Sequence, residues 1–402
     1  MATQPSDCRT TQTAGEHSVR PESPRRYTPR GMGAEEFFTE LLRRSCRYVA
    51  LRWFEGLPSL EPGEDIDLLI ADDDLIALDE ILDPTEGAIP CDVYTVSGLP
   101  ATDYRNIAYY PPYLAEQILD RRMLHQELVS IPSTIDYFFS LTYHALYHKG
   151  LNAGIPTSLQ NLSPSDCPEH DYARKIASIA HQCGLDGFEM TMESLDDFLL
   201  SHGWRPPLDT LARLAPHNRW IKKRFFSSPE PVDPIFRGLS VFVLRDRAKQ
   251  IEAVSEIQDL LLASGFEIIS VKHLSDDEAA VAAKRIRGGN WGCGPWPTSG
   301  GGPAIVIIGR DANPLPVPDK LLNEHPLLDN ARIPAAKESI RNAMNLRLPE
   351  SELCNVIHSS DSAQHALEYL RITMPELEEQ IINHLHAVCS RHEIHALHCA
   401  PT

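Results

Sequence analysis

No apolar run in this 402-residue chain approaches the ~18 residues needed to cross a bilayer, so a membrane-spanning helix is not expected. A basic excess is missing as well. With 56 acidic against 37 basic side chains, the net charge is −19 at pH 7. That balance argues against a broad nucleic-acid or anionic-membrane surface, although a few local cations suffice for a bound nucleotide. The nine cysteines are scattered without paired spacing, and no secretory leader is recognisable. Reduced thiols and a cytoplasmic location are the expectation. Internal repeats are also lacking.

What the chain does contain is ordinary core material, 42% hydrophobic and 23% charged. At about 100 to 200 residues per domain, two or three domains are expected. The opening stretch carries five arginines among Pro, Ser and Thr, which reads as a disordered tail over 1–33. The acids Asp7, Glu16 and Glu22 speak against an organelle transit peptide there.

Structure is expected to start near Ala34, with the helical spacing of "AEEFFTELLRRS". Strands follow at "RYVALRWF", "DIDLLIA" and "IPCDVYTV", with a helix over "DDDLIALDEIL". From Pro111 to Lys223 the pattern is mainly helical, broken by the polar loop "GLNAGIPTSLQNLSPSDCPEHD". The proline-rich "SSPEPVDP" at 227–234 is the linker candidate. Beyond it, strands at "GLSVFVLR", "FEIISVKHL", "PAIVIIG" and "LCNVIHS" alternate with helices. The predicted architecture is α/β of the α+β kind. It comprises a first domain over 34–152, a helical region and linker over 153–235, and a second domain over 236–402. For that second domain the order of elements suggests a ferredoxin-like sheet of four strands.

Chemistry is written most clearly in "NVIHSSDSAQHALEYL", residues 355–370. Val356 and Ile357 read as the end of a strand. Ser359, Ser360, Asp361 and Ser362 are helix-capping types, and a helix runs from Ala363. His358 thus sits at a strand-to-helix junction, where free backbone N–H groups favour a phosphate. A histidine half-buried under a helix cap is the structural alternative.

The element order, the "SGGGPAIVIIG" strand, the Ile340–Arg341 step and "NVIHSSDS" together resemble the nucleoside diphosphate kinase family, over about 237–390. The resemblance implies that His358 carries a phosphoryl group from one nucleotide to another, with Asn355 as a neighbouring polar contact. Arg341 would bind phosphate, and Arg245 stands where the family has a catalytic lysine. Arg332 and Lys337, just ahead of the histidine strand, are further candidates for nucleotide binding. Two other departures accompany the lysine exchange. Tyr369 occupies the position eleven residues after the histidine where the family has a glutamate, and Glu368 lies about 100° around the helix. The nucleotide-clamping region is replaced by "RIRGGNWGCGPWPTSGGG", in which Trp291 or Trp296 either stacks on a base or packs within the loop. The "GGNWGCG" stretch lacks the Lys-Ser/Thr of a phosphate loop.

In the first domain, Asp65 and Asp67 alternate along an apolar strand, so both carboxylates leave the same face. Asp92 on the next strand can supply a third oxygen, a set suited to Mg²⁺ bound with nucleotide phosphates. A cluster of acids at a loop edge is the alternative. This region resembles the nucleotidyltransferase superfamily over about 40–150, which implies a mixed sheet and nucleotidyl transfer to a small molecule. The family's Gly-Ser is absent, and Arg52 is a candidate phosphate contact or a surface ion-pair partner.

Two histidine groups complete the candidates. His144 and His148 share a helical face and read as a packing pair before a metal pair. His386, Cys389, His392, His395 and His398 recur at a spacing that drifts around a helix and suits only weak metal binding. The sequence therefore predicts a bifunctional nucleotide-dependent phosphotransfer enzyme using Mg²⁺ with ATP or another NTP. Its partners would be a nucleotide and a small-molecule acceptor, neither nucleic acid nor membrane, with self-association left open. The other reading is a nucleotide-binding regulatory protein whose sites are degenerate.

Overall fold

Leu239–Arg245 and Pro303–Arg310 are buried at every position, as expected of continuous apolar runs covered on both faces. They form the centre of a sheet that helices cover from both sides. The computed structural model describes residues 25–387, apart from 62, 228–232, 290 and 293–295. The expected linker therefore lies largely outside the described residues, as do the first 24 residues and the tract from Cys389 to His398.

Among the described residues, two four-stranded sheets and a hairpin make a mixed α/β fold. The first sheet contains β1 (Arg25–Tyr27), β2 (Tyr48–Ala50), β3 (Ile66–Ile70) and β4 (Pro90–Thr95), in the order β1-β4-β3-β2. Its β3 and β4 are parallel, and both outer pairings are antiparallel. The hairpin joins β5 (Met123–His125) to β6 (Val129–Ile131). The second sheet contains β7 (Leu239–Arg245), β8 (Glu267–His273), β9 (Pro303–Arg310) and β10 (Ile357–Ser359), ordered β10-β7-β9-β8 and antiparallel throughout. Alternate residues of β7 and β9 feed opposite faces. Phe242, Leu244, Ile305 and Ile307 meet Ile333 and Ile340 on one side. Val241, Val243, Val306 and Ile308 meet Ala366 and Leu370 on the other.

Several elements differ from expectation, each through tertiary contact. Arg25–Tyr27 forms a strand inside the expected tail because the open edge of β4 accepts its backbone, Arg25 opposite Asp92. The strand expected over "RYVALRWF" stops at Ala50, and Trp53 turns the chain at φ +53°. The hairpin β5–β6 interrupts the expected helical stretch. Where one helix is expected between the strands "GLSVFVLR" and "FEIISVKHL", there are two, Asp246–Gln250 and Val254–Ala263, separated by Glu252 at φ +54°.

The two halves of the chain touch directly. Lys284 Nζ pairs with Glu116 at 2.6 Å, and the Arg285 guanidinium lies 5.4 Å from the ring centre of Tyr113. Gly289 permits the closest approach. It has φ +80°, and a Cβ there would lie 2.2 Å from Pro112 Cγ, which only glycine avoids.

The helical region between the sheets is held by a buried carboxylate. Asp196, fully buried on the helix Met192–Ser201, accepts from Tyr147 Oη at 2.8 Å and from Arg205 Nε at 2.9 Å, and it pairs with Arg224 as well. Asp196→Ala takes the acceptor from the buried Tyr147 phenol and leaves Arg205 and Arg224 with only the exposed Asp197 as a carboxylate partner. It is expected to cost about 3 to 5 kcal/mol, read as a lowered urea midpoint; a loss below about 1 kcal/mol would place the anchor elsewhere.

Candidate functional site

β10 runs antiparallel to β7, with His358 opposite Val243. Ile357 and Ser359 are buried, and His358 between them is half-buried, so its ring leaves the sheet on the face away from its neighbours. Ser362 caps the following helix, Ala363–Thr373, by accepting from His365 N at 3.2 Å. Asp329 Oδ2 accepts from Ala363 N at 2.7 Å. Two N–H groups that were expected to face a phosphate are therefore already bonded within the protein, and positive charge at this site comes from side chains instead.

Those side chains line a cavity of about 470 Å³. Arg105, Arg213, Arg287, Lys337 and Arg341 contribute cations, and His325, His358 and His365 contribute imidazoles. Asp209 and Asp361 supply the acids. Five cations against two carboxylates is an inversion of sign in a chain of net charge −19. Lys337 lies 3.7 Å from Asp361, yet burial still lowers its pKa. Burial and then Arg287 bring Arg341 down to about 10. Arg287 is lowered by burial and then by Arg213. Crowded, desolvated cations of this kind are relieved by an anion. Another unmet group is His365 Nε2, in a residue only 1% exposed, which has no hydrogen-bond partner among the described residues.

The His358 ring itself is oriented. Its Nε2 shares a 2.8 Å hydrogen bond with Tyr369 Oη, and the Trp291 ring meets it edge-on at 6.0 Å. Burial, followed by Arg287, Lys337 and Arg245, holds the imidazole well below its usual pKa of 6.5. It is therefore neutral near pH 7. With Nε2 engaged, Nδ1 is the ring nitrogen left for an electrophile.

Of the predicted residues, the structure brings His358, Arg341 and Lys337 to one cavity. Arg341 also braces β10, donating from Nε and Nη2 to Ile357 O at 3.2 and 2.9 Å. Arg245 lies elsewhere. Fully buried, it donates to the carbonyls of Trp291 at 3.0 Å and Ser299 at 2.5 Å. It organises the glycine-rich loop and does not line the cavity. Asn355 is buried and also outside the lining. Arg332 Nε bonds Asp311 at 2.7 Å, away from His358. Trp291 packs over Arg245 and donates its indole N–H to Ala283 O at 2.9 Å, while Trp296 lies beside Arg341. Sequence reasoning missed Arg105, Asp209, Arg213, Arg287 and His365: Asp209 and Arg213 share one helix and His365 lies in the 355–370 motif, but no spacing ties the segments around 105, 209–213 and 287 to His358.

The first sheet places its acids together, Asp67 being in parallel register with Asp92. Guanidinium groups hold all three. Arg25 bonds Asp65 at 3.0 Å and Asp92 at 2.5 Å, and Arg52 bonds Asp67 at 2.6 Å. No group of three or more His, Cys, Asp or Glu side chains among the described residues is arranged to hold a metal. As placed, these carboxylates fit arginine and not Mg²⁺. Burial raises the Asp67 carboxyl to about 6 despite Arg52. His144 is buried and bonds Tyr109 Oη through Nδ1 at 2.5 Å; burial depresses both it and His148, as in a packing pair.

No family model matches the chain, and no curated protein matches it. Among solved structures, the chain is similar to a nucleoside diphosphate kinase of Aquifex aeolicus, described in an orthorhombic crystal form. The likeness spans 35% of this chain and 96% of that one, at 16% identity and a TM-score of 0.21. A likeness at this level decides nothing about chemistry. No helix among the described residues is long and apolar enough to cross a membrane.

Proposed function

We propose that this protein is a phosphotransfer enzyme that binds a nucleoside triphosphate or a related phosphoanhydride in the cationic cavity and passes a phosphoryl group through His358. The observation that carries this reading is the neutral imidazole, tied through Nε2, in a cavity whose five cations match a polyphosphate. In the step itself, the Nδ1 lone pair attacks the terminal phosphorus. The bond to the bridging oxygen breaks, the diphosphate leaves, and the phosphoryl group is carried on Nδ1 until an acceptor takes it. Such transfer is mostly positioning and neutralisation of oxygen charge. Arg341, Lys337 and Arg287 would perform the neutralisation, with Arg105 and Arg213 reaching the ligand from segments ahead of the linker.

The test is incubation of the full chain with γ-labelled ATP or GTP. An acid-labile, base-stable phosphoenzyme is expected between pH 6 and 9. A chain that binds an ATP analogue calorimetrically but takes up no label in that range would instead be a regulatory nucleotide-binding protein. The acceptor would be a nucleotide or small molecule, and the setting a reducing cytoplasm.

A second reading, nucleotidyl transfer at Asp65, Asp67 and Asp92, is favoured by the register that sets Asp67 beside Asp92. We propose it only with Arg25 displaced, since Arg25 bonds two of the three acids. Arg25→Ala should then allow Mg²⁺ to bind, seen as calorimetric heat with MgCl₂ that the native chain lacks. No Mg²⁺ binding to either protein, alone or with an NTP, sinks this reading.

A further inference from the structure

Where the nucleoside diphosphate kinase resemblance leads one to expect a carboxylate beside the histidine, this chain has a phenol. That phenol is not isolated. Tyr369 Oη lies 2.8 Å from His358 Nε2 and 3.4 Å from Asp209 Oδ2. Asp209 belongs to the helix Leu208–Leu214, ahead of the linker and 160 residues away from Tyr369 in sequence. An ionised carboxylate only accepts; with the phenol O–H turned to Asp209, the phenol oxygen is free to accept from the imidazole N–H.

We infer that Asp209 acts through Tyr369 as a positioning relay, holding His358 as the Nε2–H tautomer and leaving Nδ1 unprotonated for attack. The inference rests on the phosphotransfer reading above for its use, though not for its geometry.

The surrounding groups bear on the direction of the relay. Tyr369 is 1% exposed, and burial together with Asp209, Asp361 and Glu368 pushes its phenol far above its usual range. It therefore keeps the proton it must donate. Glu368, the neighbouring carboxyl, accepts from Leu208 N at 3.4 Å and is raised to about 8, by burial and then by Asp209. Burial raises Asp209 as well, while His365, the Thr210 N–H, Arg287 and Arg213 act to keep it ionised.

The relay also balances the chemical step. Attack by Nδ1 forms the N–P bond and leaves a cationic ring carrying hydrogen on Nε2. That hydrogen stays in its bond to Tyr369 Oη, and the Asp209 carboxylate at the far end offsets the charge. A histidine that lacks such a partner rests partly as the wrong tautomer, which costs rate without costing ligand affinity.

The full chain labelled with ¹⁵N-histidine supplies the direct test. Two-bond ¹H–¹⁵N correlation should show His358 as the Nε2–H tautomer in the native protein and as a mixture in Tyr369→Phe, which removes one oxygen and retains the ring. Label uptake from γ-labelled ATP should fall in Tyr369→Phe and in Asp209→Asn by between about tenfold and 10⁴-fold, the upper end being the scale seen when a catalytic histidine loses its orienting carboxylate. Calorimetric affinity for a non-hydrolysable ATP analogue should stay within about threefold in Tyr369→Phe, since the phenol does not line the cavity. An Nδ1–H tautomer in the native protein, or unchanged tautomer and uptake in Tyr369→Phe, overturns the relay. A native Nε2–H tautomer that responds to Tyr369→Phe supports the relay even if the native chain takes up no label. That combination would defeat only the phosphotransfer reading.

Discussion

His358→Ala protein should take up no acid-labile label from γ-labelled ATP or GTP under conditions in which the native chain is labelled. The substitution removes the imidazole at the cationic cavity and leaves Arg341, Lys337 and Arg287 in place, so an ATP analogue should still bind. Loss of labelling with retained binding would separate the phosphoryl acceptor from the anion site. The pH dependence follows from the same environment. An ordinary imidazole protonates near 6.5 and ceases to be a nucleophile below that pH. Burial and the surrounding cations hold His358 well below that value. Its neutral form therefore persists as pH falls through 6.5, and the labelling rate should show no acid limb there. Equal labelling of His358→Ala, or an acid limb centred at 6.5, would contradict this account of the site.

Arg341→Ala carries the next largest expectation, a slowing of label uptake by about 10² to 10³, the usual cost of losing one donor aimed at developing charge. Arg341 is desolvated and crowded by Arg287, which brings it down to about 10. It stays charged at neutral pH but has strong reason to meet an anion. Its second task is structural, because two of its donors hold Ile357 O on the strand that carries His358. Arg341→Lys separates the two tasks. Lysine retains the charge and loses the planar fork, so partial recovery of rate is expected where charge dominates. Near-native labelling of Arg341→Ala with a lowered melting temperature would leave Arg341 as a brace for β10 alone.

The burial pattern of β7 and β9 was legible in the sequence as apolar runs, and Ser362 was legible as a cap. The break at Glu252 was not, because a positive φ at a glutamate reflects how the two flanking helices pack and not any local preference. The strand Arg25–Tyr27 was equally hidden. Its residues look like tail, and only the unpaired edge of β4 makes them a strand.

Charges were the least readable feature, since a sequence shows their sign but not their partners. Arg245 resembled a catalytic cation and is enclosed by loop carbonyls. Asp65, Asp67 and Asp92 resembled a metal set and are held by Arg25 and Arg52. The sequence by itself determined where the second sheet runs and that His358 ends a strand before a capped helix, because apolar periodicity and cap chemistry act over a few residues. Only the tertiary structure decided what surrounds that histidine. Arg105, Asp209, Arg213 and Arg287 reach it from segments far apart in the chain, and desolvation, which sets whether a histidine is neutral or a cation needs an anion, exists only once those segments have packed together.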